Sequence, residues 1–158
     1  MTKTGKALGT LAAVALTVLP TSPAAPTVQA IQDDVVRLTN VERQKAGCAP
    51  LSRRDDLDVA AQRHSQDMAA RNFLGHTGST GSSFTTRIEQ AGYTRWRIAA
   101  ENVAGGYLTP KDVVAGLMSS PGHRANIINC ELKDIGVGYA TNPASKFRVY
   151  WTQDFGSR

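Results

Sequence analysis

His76 and His123 lie in turn-rich segments, Phe73-Leu-Gly-His-Thr-Gly78 and Ser120-Pro-Gly-His-Arg124, and Glu101 lies between them in Ala100-Glu-Asn-Val103. Two imidazoles and a carboxylate can hold a divalent cation or move a proton. The three residues are 25 and 22 positions apart. That spacing is unlike the His-Glu-x-x-His helix of a metalloprotease, so the chemistry depends on the fold bringing them together. His76 falls in a glycine-flanked loop, where a side chain is free to meet a ligand. His123 follows Pro121-Gly122 in the first turn of an expected helix. The free N–H groups there disfavour an imidazolium, and a neutral ring is what a metal or a general base requires. Glu101 sits among weakly polar neighbours, where an unpaired buried carboxylate is costly. It therefore needs a partner: an imidazole, or an arginine such as Arg97 or Arg124.

His64 reads differently. It shares a helical stripe with Leu57, Ala60, Ala61 and Met68, which predicts a core histidine with one ring nitrogen satisfied by a backbone carbonyl or by Ser65. Ser65 beside it is not an activated nucleophile, because adjacent helical residues point apart. No other Ser or Thr has an activating context.

The elements that must position these residues are legible from period and punctuation. Ile31, Val35, Leu38 and Val41 predict a helix over 31–46, ended by Gly47. A second helix is expected over 53–72, with Ser52 and Asp55 as a capping box. Ser83 can cap a short helix through Ile88. Residues 93–100 are ambiguous and can be extended, and Gly105-Gly106 marks a turn. Thr109-Pro110 and Ser120-Pro121 each start a helix, with Val113, Val114, Leu117 and Met118 on the buried side of the first. Ile135, Val137 and Tyr139, then Phe147, Val149 and Trp151, alternate as strands. Helices first and paired strands late predict an α+β class with helices packed on a small antiparallel sheet.

Residues 1–30 read as a secretory signal: Lys3 and Lys6, the short apolar run Ala7–Leu19, and the small-x-small pattern Val28-Gln29-Ala30. The remaining 31–158 make one domain, and no later segment is apolar enough to span a membrane. The full chain has a formal charge of +5; without the signal, 16 basic residues face 13 acidic ones. No Lys/Arg run tracks phosphates, so nucleic acid is not an expected partner. In an exported chain the pair Cys48 and Cys130 favours one disulfide, closing a loop of about 80 residues and stabilising by roughly 4 kcal/mol on the loop-entropy model. Metal ligation by this pair is the weaker reading, since CxxC spacing is lacking.

Several segments in order resemble the CAP (SCP) domain of cysteine-rich secretory, antigen 5 and pathogenesis-related proteins, in its bacterial secreted branch. They are His64-Ser-Gln-Asp-Met-Ala69, Asn72-Phe-Leu-Gly-His76, Ala100-Glu-Asn-Val103, Ser120-Pro-Gly-His-Arg-Ala-Asn-Ile-Ile-Asn129, Ile135-Gly-Val-Gly-Tyr139 and Tyr150-Trp-Thr-Gln-Asp-Phe-Gly156. The resemblance covers about 33–156 and implies a three-layer α-β-α sandwich with a cleft of two histidines and two glutamates. His76, Glu101 and His123 match three members of that set. The fourth has no match, Asp112 being the only acid between Val103 and Gly122. The resemblance implies a secreted binding module without assured catalysis, holding an extracellular or cell-envelope ligand and a divalent cation such as Zn²⁺ on His76 and His123. Two alternatives are a metal-assisted hydrolase with Glu101 as general base and a lipid-binding envelope protein.

Overall fold

A computed structural model of the chain describes residues 1, 2, 5 and 24–158. The apolar run Ala7–Leu19 of the expected signal lies outside the described residues. Val28-Gln29-Ala30, the expected cleavage pattern, forms the first turn of a helix capped by Thr27, whose side chain accepts from the Ala30 N–H.

The described elements run α1 (Val28–Lys45), β1 (Ser52–Arg53), α2 (Asp55–Arg71), α3 (Phe84–Gln90), β2 (Ile98–Gly105), α4 (Pro110–Ser119), α5 (Pro121–Ile127), β3 (Asp134–Thr141) and β4 (Val149–Ser157). The sheet order is β1-β3-β4-β2. The three long strands pair antiparallel, and the two-residue β1 adds parallel to β3. The sheet is therefore mixed, by that one short strand.

Alternation along the strands separates two faces. Ile135, Val137, Trp151, Phe155 and Ala104 pack with Val35 of α1, Val113 and Leu117 of α4, and Ile127 of α5. The opposite face meets α2 and α3: Val103 and Tyr150 pack with Met68 and Ala69. On that face β3 presents glycine. A Cβ at Gly136 would lie 2.1 Å from the Leu57 carbonyl carbon, and one at Gly138 would lie 2.1 Å from the Ala61 oxygen. The missing side chains let α2 lie directly on the strand. The result is an α-β-α sandwich, as the resemblance implied.

Three local expectations change. Ser52 enters β1, so no capping box forms; Arg54 is the N-cap of α2 and makes no side-chain cap bond. Of the ambiguous stretch 93–100 only 98–100 become strand, as the start of β2, which runs to Gly105; 93–97 are irregular. The buried face of α1 is Gln32, Val35, Thr39 and Arg43, while Val41 is exposed. Polar side chains take this face because each finds a partner. Gln32 bonds Gln62, and Thr39 accepts from Gln153 at 2.8 Å. The wholly buried Arg43 donates to the carbonyls of Ala49, Ile127, Asn129 and Leu132. Cys48 and Cys130 join beside this clamp, with Cα atoms 5.0 Å apart.

Candidate functional site

Glu101 is the centre of the site. It lies on β2, on the face turned toward α2 and α3, with its side chain only 1% exposed. Its Oε1 accepts from Nδ1 of His76 at 2.8 Å, and its Oε2 accepts from Nη2 of Arg87 at 2.5 Å. Both carboxylate oxygens are thus engaged. With Nδ1 donating to a carboxylate, the neutral His76 ring keeps its lone pair on Nε2. The His76 side chain is 56% exposed, so that nitrogen belongs to the solvent-facing part of the site.

Arg87 was not among the arginines expected to pair with Glu101. It sits on α3, one turn beyond the Ser83 cap, with 9% of its side chain exposed. Its Nη1 donates to the carbonyls of His76 and Ser82. One guanidinium therefore neutralises Glu101 and fixes the backbone of the loop that carries His76. The clue in the sequence was a lone arginine on a short helix following that loop, which local spacing does not distinguish from Arg97 or Arg124.

His64 holds the same loop from below. It is buried, and Nε2 donates to the Gly75 carbonyl at 2.8 Å, as expected of a core histidine; Ser65 pairs instead with Thr152. Burial pushes the His64 pKa down. Its Nδ1 has no partner among the described residues.

Asp154 is the second residue that sequence reasoning left without a role. It stands opposite Glu101 in the β2–β4 register. Gly106, the residue just past the end of β2, donates to the Val149 carbonyl at 2.9 Å. Alternation from that bond makes Glu101–Asp154 a non-hydrogen-bonded pair, the type in which facing side chains come closest. Asp154 is completely buried, and among the described residues neither carboxyl oxygen meets a donor. Burial and the neighbouring Glu101 charge hold its pKa well above the usual carboxylate range. The raised pKa favours the protonated acid, which would give Asp154 a donor toward Glu101 and limit the pair to one negative charge against Arg87.

His123 arrives from the other helical layer, at the start of α5, and is half-buried. Its backbone carbonyl accepts from Asn102, the neighbour of Glu101, at 3.2 Å. Asn126, on the same helix, donates to the Glu101 carbonyl and to Asn102. These bonds dock α5 against β2 beside Glu101. Burial, then the charge on His76, lowers the His123 pKa. The direction matches the expectation, with burial as the leading cause. Among the described residues, no three His, Cys, Asp or Glu side chains converge as a metal-binding group. Asp112 lies away from the site and closes the α4 cap with Thr109.

This chain belongs to the CAP, or cysteine-rich secretory protein, family, whose model matches residues 36–155. It is 39% identical over 135 residues to YkwD, an uncharacterized protein of Bacillus subtilis, covering 85% of this chain and 50% of that one. The chain thus spans half the length of that relative. Among solved structures it is similar to an extracellular protein containing an SCP domain from Bacillus anthracis, with TM-score 0.72 and 24% identity over 87% of this chain and 45% of that one. It is also similar to an outer surface protein of Borrelia burgdorferi, with TM-score 0.70 and 21% identity over 80% of this chain and 93% of that one. At these identities the two structures establish the fold. No helix among the described residues is long and apolar enough to cross a membrane.

Proposed function

We propose that this chain is a secreted binding module whose cleft presents the imidazoles of His76 and His123 to an extracellular or cell-envelope ligand. One observation carries this reading: Glu101 is spent on holding His76. Its two oxygens are occupied by His76 and Arg87, and its side chain is buried. A general base needs a free oxygen within reach of the proton it removes. The geometry suits a carboxylate that orients an imidazole, the support a ligand-binding histidine commonly has. It therefore favours binding over hydrolysis with Glu101 as base. The signal-like N-terminus and the extracellular and surface proteins among the structural relatives support export.

A divalent cation fits this donor set as an exchangeable guest. Catalytic zinc sites usually have three protein ligands, and here the two imidazoles are the available donors. His76 and His123 would hold the ion, which would polarise an oxygen of the ligand. Calorimetric titration of the chain with Zn²⁺ tests this. The expected result is weak binding that disappears in the double variant His76→Ala, His123→Ala and weakens as pH falls. Heat that survives the double substitution would exclude these two as ligands. Glu101→Gln, by contrast, is expected to weaken Zn²⁺ binding about 10- to 100-fold through loss of ring orientation.

A further inference from the structure

β2 is the last strand of the sheet, and its outer edge is only partly covered. Gly106 donates to Val149, so the even-numbered residues of β2 bond to β4 and the odd-numbered ones turn their N–H and C=O groups outward. The Glu101 carbonyl confirms the phase: it accepts from Asn126 on the outer side. Further along, no loop or side chain among the described residues bonds the outward groups of Val103 and Gly105. Folded proteins commonly blunt an open edge with charge, proline or a covering element. Val103-Ala-Gly105 carries no charge or proline; Val103 and Ala104 are buried at the floor of a groove whose walls are the 74 loop and the α4–α5 junction.

A groove of about 320 Å³ runs past that stretch. Val103, Ala104 and Gly105 line it, with Leu74 from the layer of α2 on one side and Leu117 of α4 on the other. His123 belongs to the same lining, and no Asp, Glu, Lys or Arg does. The groove thus combines leucine, tyrosine and serine walls free of Asp, Glu, Lys and Arg with main-chain donors and acceptors repeating every second residue, about 6.8 Å apart.

We propose that this groove binds an extended, uncharged peptide segment, which adds to the edge of β2 through main-chain hydrogen bonds to Val103 and Gly105 and lays a small or apolar side chain against the exposed Leu74. The proposal rests on reading the His76–His123 cleft as a ligand site, since His123 lines the groove. A peptide is the ligand class whose donors and acceptors repeat at strand spacing. An acyl chain would pack against the leucines but would strip water from the Val103 and Gly105 amides without replacing its hydrogen bonds.

The test uses ¹⁵N-labelled chain and two capped pentapeptides, alternating Ala-Val and alternating Ser-Leu, each with a counterpart N-methylated at alternate amides. At saturation the Val103 and Gly105 amide signals are expected to shift and their hydrogen exchange to slow at least tenfold. N-methylation, which removes two donors, is expected to weaken binding about tenfold. Leu74→Asp, at an exposed loop position, is expected to do the same while the rest of the spectrum stays in place. No movement at Val103 and Gly105 at millimolar peptide, or equal binding of the N-methylated forms, overturns the proposal. A parallel Zn²⁺ titration reads the imidazole signals of His76 and His123. A response there without a peptide response rejects edge pairing and leaves the cleft reading intact; a peptide response alone rejects the cation.

Discussion

At the scale of single residues, the site is a buried charge balance. Glu101, Asp154 and Arg87 form one group, with His76 as its outward arm. Asp154 makes the balance depend on pH. Its folded-state pKa is raised by burial and by Glu101. Between the unfolded value near 3.9 and that raised value, the folded chain holds the proton more tightly, so this residue's contribution to stability falls as pH rises through the window. Asp154→Asn keeps the shape and a donor toward Glu101 while removing the titration. Relative to the parent, the variant is expected to gain stability steadily from pH 4 to pH 7, measured by urea unfolding at each pH. A constant difference across that range would mean that Asp154 is ionised in the fold.

At the scale of elements, two contacts set the positions of the histidines. The first is α2 on β3. Because a Cβ at Gly138 would overlap the Ala61 carbonyl, Gly138→Ala must push α2 outward, and with it the His64–Gly75 bond that holds the His76 loop. The expected cost is roughly 1–3 kcal/mol, read as a lower denaturation midpoint, together with shifted His76 resonances. The second is the Arg43 clamp. Arg43 and the Cys48–Cys130 disulfide tie the same two segments, the turn after α1 and the chain from 127 to 132. Removing the disulfide with Cys48→Ser and Cys130→Ser is expected to cost about 2–5 kcal/mol yet leave a folded chain. Arg43→Met in that background strips charged donors from four carbonyls, those of Ile127 and Leu132 in buried bonds, and loss of the cooperative unfolding transition is the expected outcome. A cooperative transition at the same midpoint as the cysteine variant would show that the clamp contributes nothing of its own.

At the scale of the whole molecule, acid sensitivity follows from two histidines in different layers. Burial lowers the pKa of His64 and of His123. Below about pH 6.5 the unfolded chain takes up these protons before the folded one does, so stability is lost as pH falls from 6.5 toward the lowered values. In the Asp154→Asn background, where the opposing carboxyl titration is absent, a thermal-unfolding series from pH 7.5 to 5 is expected to show a falling midpoint, with a shallower slope when His123→Asn is added. An unchanged slope would assign the sensitivity to His64 alone.

Local signals declared most of the architecture. The caps Ser83 and Thr109 and the alternating apolar positions of β3 and β4 act over a few residues, so their consequences could be read from the chain. So could the motifs of the CAP family and the positions of His76, Glu101 and His123 within them. The polar face of α1 and the identity of the Glu101 partners could not be read that way. Arg43 is buried because carbonyls 84 to 89 positions away surround it. Arg87 was chosen over Arg97 and Arg124 by the docking of α3. Asp154 joins Glu101 only through strand register. A sequence states which side chains are able to pair; the desolvation that makes one pairing necessary exists only once layers close over them, and that was decided by the tertiary structure.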